Sequence, residues 1–266
     1  MRKSLVLLMS LILVFLVPGT AVATIQKEKF DQIIESLEKI YSPVFHTRQQ
    51  LLNINANWDS ERFEALARYE MDRHGKIAII DITGAVARHP AITEEAFATI
   101  VCHEIGHFLA GQPAYRGFST EGQADYFAAS GCMRRLLPQL PENFFSSPPR
   151  APWAVKRRCI DAYESIEEVN ICIRSTMGGY GLSAFVAYRK SQNKPNFETP
   201  DPLEAGSLSF SPNTVQCRLD TFIVASLCNP VLKQHVDSQR PWLCSRKGDL
   251  AHLARPLCWY PRNPSH

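Results

Sequence analysis

The sequence predicts an α+β fold, mostly helical with a small antiparallel sheet, and three observations carry that expectation. Apolar residues recur at three-to-four spacing over several long stretches, which marks helices with one buried face. After the first of these, the pattern switches to strict alternation and then to an isoleucine-rich run, both strand signals. The helical stretches are also bounded by capping residues, proline or glycine.

Taken in order, the chain opens with Arg2 and Lys3 ahead of an apolar run from Leu5 to Val17, followed by Pro18-Gly19-Thr20 and Ala21-Val22-Ala23. That is the pattern of a signal peptide over residues 1–23, cleaved after Ala23. The run is short for a spanning helix, so no stable membrane span is expected once it is removed. Phe30, Ile33, Ile34, Leu37, Ile40 and Tyr41 predict a helix over 27–41, stopped before Pro43. Leu52, Ile54, Ala56 and Trp58 alternate with Asn53, Asn55 and Asn57, which predicts a strand. Over 61–72, Phe63, Ala65, Ala67, Tyr69 and Met71 alternate too, and this outweighs a helix-favouring composition. Arg73-His74-Gly75 then reads as a turn and Lys76 to Thr83 as the second strand of a hairpin.

The next helix starts at Thr93 as cap, has Glu94 and Glu95 at its positive end, runs from Ala96 to Ala110 and closes at Gly111 and Pro113. Thr120-Glu121-Gly122-Gln123 has the form of a capping box for a second helix that ends at Leu137, before Pro138. Residues 138–153, with five prolines, read as a surface connection. Val155 to Met177 predicts a helix ending at Gly178-Gly179, followed by a short helix from Leu182 to Lys190. Residues 192–212 read as loop, and Thr214 to Leu227 as a last helix before a disulfide-pinned tail. The expected organisation is a core over 24–137, the connection over 138–153, and a helical, cysteine-containing part over 154–266 packed on that core.

Composition narrows the function classes. At 45% hydrophobic and 21% charged, the chain is globular in kind and not disordered. Loss of Arg2 and Lys3 with the signal lowers the net charge from +3 to +1, which gives no electrostatic basis for binding nucleic acid or an anionic membrane. All eight cysteines lie at or beyond Cys102. An even number in an exported chain points to disulfides and to a periplasmic or secreted location, although about a hundred connectivities are open. No CxxC pair is present, which argues against a zinc ribbon or a thioredoxin-type site.

The chemistry centres on Ile100-Val101-Cys102-His103-Glu104-Ile105-Gly106-His107-Phe108-Leu109, an HExxH motif. On a helix, His103 and His107 share one face and can bind one metal ion, while Glu104 lies beside them, placed to act as a base. Uncharged neighbours suit a helix that passes through a core. A catalytic zinc takes three protein ligands, and Glu121 on the following helix completes a His103, His107, Glu121 set for one zinc per chain. Asp125, one turn further on, would hold the free ring nitrogen of a ligand histidine. An acidic first turn and a solvated face would also explain Glu121 and Asp125, but the position of Glu121 fourteen residues after His107, across a loop long enough to bring two helices together, favours the metal site. Cys102 falls off the histidine face and reads as a buried thiol or half-cystine.

His103-Glu104-Ile105-Gly106-His107 followed by Glu121-Gly122-Gln123-Ala124-Asp125 resembles the HExxH and ExxAD pair of gluzincin metallopeptidases, most closely the HtpX-like group with its soluble periplasmic members. The resemblance covers residues 100–129 and implies a zincin-like helix pair and an exported zinc metallopeptidase acting on a peptide or protein. It further implies an edge strand that aligns the substrate, for which Lys76 to Thr83 is the candidate, and an arginine that helps bind the reacting carbonyl. Arg218 stands in the comparable place, after Ser211-Pro212 where the group carries His-Pro. By its own neighbours Arg218 could simply pair with Asp220, and His235 and Tyr180 are other candidate donors. Two alternatives stand beside the peptidase: a non-catalytic, disulfide-bonded binding protein with a degenerate or structural metal site, and a hydrolase of non-peptide amides.

Overall fold

The computed structural model describes residues 25–73, 75–145, 147–208, 214–228, 236–237, 240–244 and 254–262. The expected signal segment, Ser211-Pro212 and His235 lie outside the described residues. The fold is α+β, with helices predominating over one three-stranded sheet and two short two-stranded ones.

Helix α1 (Lys27–Thr47) buries Phe30, Ile33, Ile34, Leu37, Tyr41 and Phe45. It runs on past the expected stop, with Pro43 inside it. A mid-helix proline removes one backbone hydrogen bond; here the next turn seats Phe45 in the core, with its ring 5.8 Å from that of Phe108.

The main sheet has the order β1-β3-β2, with β1 at Gln50–Asn57, β2 at Ala65–Asp72 and β3 at Gly75–Thr83. The hairpin is present, as β2 and β3 pair antiparallel from Asp72↔Gly75 to Ala65↔Ile82. β1, in contrast, runs parallel to β3, so the sheet is mixed. A second correction matters more for the site. The Lys76–Thr83 segment lies at the centre of the sheet, and the edge strands are β1 and β2, of which β2 lines the cleft beside the histidines. Burial accounts for this: β3 buries Ala78, Ile79, Ile80, Ile82 and Thr83, as a central strand must, whereas β2 leaves Leu66 and Met71 exposed. Asp81 ties all three strands together, accepting from Asn55 Nδ2 at 2.8 Å and from Arg68 Nε at 2.6 Å.

After the short helix α2 (Gly84–Arg88), helix α3 (Glu94–Leu109) starts at Thr93, whose hydroxyl accepts from the Ala96 amide at 3.2 Å. From Ala96 to Leu109 only His107 is not fully buried. A small hairpin, β4 (Ala114–Tyr115) and β5 (Phe118–Ser119), leads into α4 (Glu121–Phe127). The expected capping box does not form there: the Thr120 hydroxyl caps nothing, and Gln123 is fully buried, donating instead to the Ala110 carbonyl at the end of α3. That carbonyl is one of the orphan acceptors of a helix C-terminus, so Gln123 joins two helices. α4 passes through a π-helical turn (Ala128–Met133) into α5 (Arg134–Leu136), where one uninterrupted helix was expected.

The proline-rich connection is not wholly superficial, since Leu140 and Phe144 are buried. Helix α6 (Trp153–Ala162) is followed by α7 (Ile166–Arg189), which Ser165 caps through the Glu168 amide. The break thus falls at residues 163–165, and α7 runs through Gly178, Gly179 and Gly181, where a helix end was expected. These glycines are contact surfaces. A Cβ would lie 2.1 Å from Thr99 Oγ1 at Gly178, 2.1 Å from Phe222 Cγ at Gly179 and 2.5 Å from Ala96 Cβ at Gly181. The last helix, α8 (Val215–Leu227), is capped by Thr214 and precedes a short hairpin, β6 (Val236–Asp237) and β7 (Arg240–Cys244).

All eight cysteines pair, as Cys102–Cys132, Cys159–Cys172, Cys217–Cys258 and Cys228–Cys244. Among the described residues no helix is long and apolar enough to cross a membrane.

Candidate metal centre

Two helices converge on one point. Helix α3 supplies His103 and His107, and α4 supplies Glu121 at its first turn. The two Nε2 atoms are 3.1 Å apart, His103 Nε2 lies 3.3 Å from Glu121 Oε2, and His107 Nε2 lies 3.5 Å from Glu121 Oε1. Ligand atoms about 2.0–2.1 Å from a tetrahedral ion stand about 3.3 Å from one another. The observed separations fit such an ion.

The far side of each imidazole is occupied. His103 Nδ1 is 2.7 Å from Asp125 Oδ1, and His107 Nδ1 is 2.9 Å from the Ser119 carbonyl. An acceptor at Nδ1 keeps the proton there and turns the Nε2 lone pair inward. Two lone pairs and a carboxylate then face one another, an arrangement that calls for a cation. The electrostatics point the same way. Burial pushes His103 down, but the carboxylates of Asp125 and Glu121 outweigh it and raise the imidazole to about 10. The positive charge demanded at this position is a proton or a metal ion. Burial, with the neighbouring His103, lowers His107 to about 4. Burial alone would raise Glu121, yet His103 and Arg218 hold it well below the usual carboxylate range.

Glu104, buried beside the histidines, is raised to about 7, first by burial and then by the charge of Glu121, against the lowering effects of His103 and Arg218. The backbone of Ala67, on the edge strand β2, hydrogen-bonds to it. A carboxylate poised near neutrality is suited to taking and returning a proton.

Arg218 reaches the site from α8. Its Nε and Nη2 donate to Asp125 at 2.8 and 2.5 Å, and Nη2 lies 3.7 Å from Glu121 Oε2. Asp125 is completely buried, so this pair satisfies a carboxylate that water cannot reach. The suggested Arg218–Asp220 pair is not made: Asp220 accepts from the Asp201 amide at 2.7 Å and from Gln216 Nε2 at 2.9 Å. Tyr180 stacks on Phe197 at 5.0 Å and does not line the cleft. Cys102 is the half-cystine partner of Cys132.

The cluster opens into a cleft of about 640 Å³, lined by residues of β2, α3, the β4–β5 hairpin and α7 as well as by Arg218. Sequence reasoning missed the Ser119 carbonyl, the Ala67 backbone, and Phe63, Phe185 and Arg189 on the cleft wall. Nothing local marks them, since each acts through a fold contact and not through a motif. Comparisons with protein families, with curated proteins and with solved structures found no match to this chain.

Proposed function

We propose that this chain is an exported zinc peptidase that hydrolyses peptide bonds with Glu104 as general base, a reading consistent with its resemblance to the gluzincins. One observation carries it: two imidazole nitrogens and the Glu121 carboxylate converge closely enough to share one ion, with both Nδ1 positions tied off, and an ionisable carboxylate lies beside them in an open cleft. Four disulfides support an oxidising destination.

His103, His107 and Glu121 hold the ion, and Asp125 and the Ser119 carbonyl fix the ring orientations. When bound, zinc supplies positive charge that polarises a water molecule and the carbonyl under attack. Glu104 accepts the proton as the water oxygen forms its bond to the carbonyl carbon. It returns that proton to the departing nitrogen as the carbon–nitrogen bond breaks, so the products are one carboxylic acid and one amine. Arg218 fixes the Asp125 carboxylate by two hydrogen bonds, and Asp125 keeps His103 aimed. The edge strand β2 offers backbone groups along which an extended peptide can lie.

The test is metal analysis paired with cleavage of a peptide library. The expected result is one zinc per mature chain, lost in His107→Ala, and a Glu104→Gln variant that keeps zinc but loses cleavage by at least about a hundredfold. Metal retained with parental cleavage in Glu104→Gln removes the proposed base. Native protein without zinc removes the reading altogether.

A further inference from the structure

On the peptidase reading, the walls of the cleft specify a class of substrate. The cleft runs along β2. Where β2 begins, Phe63 and Leu66, 45% and 49% exposed, share the wall with Leu182 and Phe185 of α7. At the other end, Tyr69 leads to Phe118, 4.9 Å away, and to Tyr115 and Arg116 of the β4–β5 hairpin. Between them, the register that bonds the Thr83 amide to the Glu64 carbonyl turns the backbone groups of Ala65 and Ala67 away from β3. Both residues line the cleft, and with the Ala67 amide engaged by Glu104, the Ala65 backbone and the Ala67 carbonyl are left as partners for an added strand.

Apart from the candidate metal ligands, Glu104 and Arg218, the only charged residues lining the cleft among the described residues are Arg116 and Arg189. Neither has an ion-pair partner among the described residues. Each guanidinium lies over an aromatic ring instead, Arg189 at 5.3 Å from Phe63 and Arg116 at 5.2 Å from Tyr115. An arginine stacked in this way keeps its N–H fork for a carboxylate. Among the described residues, no acidic side chain at the rim competes for it. An exposed apolar wall beside an unpaired cation is complementary to a ligand that is apolar and anionic in adjoining parts.

We propose that the cleft selects an extended peptide that seats a bulky apolar side chain among Phe63, Leu66 and Phe185 and brings a carboxylate to Arg189. That carboxylate is either an acidic side chain or the peptide's own C-terminus, which share the same fork-to-carboxylate chemistry.

The experiment uses the full mature, zinc-loaded chain and matched peptides with Leu or Phe beside an Asp or Glu, the same peptides with Asn or Gln, and C-terminally amidated versions of both. Replacing the acid is expected to lower kcat/KM on the order of tenfold. Loss on amidation assigns the C-terminus, and loss on Asp→Asn assigns the side chain. Arg189→Glu should reverse the charge preference in favour of lysine-containing peptides with zinc content unchanged, and Phe185→Ala should flatten the apolar preference. Cleavage that ignores both features, or an Arg189→Glu variant with the parental profile, overturns the specificity while leaving the peptidase intact. A zinc-loaded chain that cleaves no peptide, including an unfolded protein substrate, overturns the peptidase reading as well.

Discussion

The two walls of the metal centre are built by different means. The α3 wall, with His103, Glu104 and His107, is set by spacing within a single helix that is capped by Thr93 and packed on all sides. The opposite wall is assembled from distant pieces: Glu121 and Asp125 come from α4, Arg218 from α8, and residues 255–260 pack behind both. Cys217–Cys258 ties α8 to that last segment, and Cys228–Cys244 ties it to β7. A wall made by local geometry tolerates loss of a ligand, because its backbone does not depend on the metal. A wall made of buried charges and cross-links fails when one member is removed.

The largest expected effect tests that difference directly. Arg218→Ala leaves the fully buried Asp125 carboxylate without its bidentate partner and should cost about 3–5 kcal/mol of stability in denaturant unfolding. His107→Ala, on the α3 wall, should abolish metal binding at a smaller cost in metal-free stability. If the two variants unfold at the same denaturant concentration in the absence of metal, the contrast between the walls is wrong.

The next effect sharpens the role of the cross-links. Replacing Cys217 and Cys258 together by serine should remove about 2–4 kcal/mol and weaken zinc binding, since Arg218 is the neighbour of Cys217. Replacing Cys159 and Cys172, which join α6 to α7 away from the site, should lower stability without changing zinc affinity. Titration of both proteins with zinc under a competing chelator distinguishes them.

The smallest effect lies in the sheet that supports the α3 side. Burial pushes Asp81 up, but hydrogen bonds from Arg68 and Asn55 prevail and hold it below the usual carboxylate range. A lowered folded-state pKa means that this stabilisation is present above the ordinary Asp value and is lost as pH falls through the lower one. Asp81→Asn should therefore cost less than about 1 kcal/mol at neutral pH and flatten the acid limb of the stability profile, measured by thermal unfolding from pH 6 down to about pH 2.

The same contrast decides what was legible in the sequence. α3 was readable because its cap, its period and its two histidines lie within one window, and the Glu121–Asp125 pair was readable from its one-turn spacing, although the capping box expected there does not form. The continuation of α1 through Pro43 was not, because the gain from seating Phe45 against Phe108 belongs to another helix. Nor was the passage of α7 through three glycines, which reads locally as a stop and in the fold as room for Ala96, Thr99 and Phe222. The central position of β3 was hinted at by its isoleucines, but its parallel pairing with β1 has no signal in turn chemistry. For Arg218, the local neighbour Asp220 was a decoy, and the true partner lies 93 residues earlier.

Trp259 gives the C-terminal segment a consequence in time as well as in space. Its indole is fully buried against Gly122, where a Cβ would come within 2.3 Å of the ring, and Nε1 donates to Thr221 Oγ1 on α8 at 3.0 Å. The residue next to Glu121 is therefore seated by a side chain near the far end of the polypeptide. During synthesis, which proceeds from the N-terminus, the histidine pair exists long before the seat of the third candidate ligand does. A candidate metal site with this dependency is complete only once Trp259 has docked against Gly122.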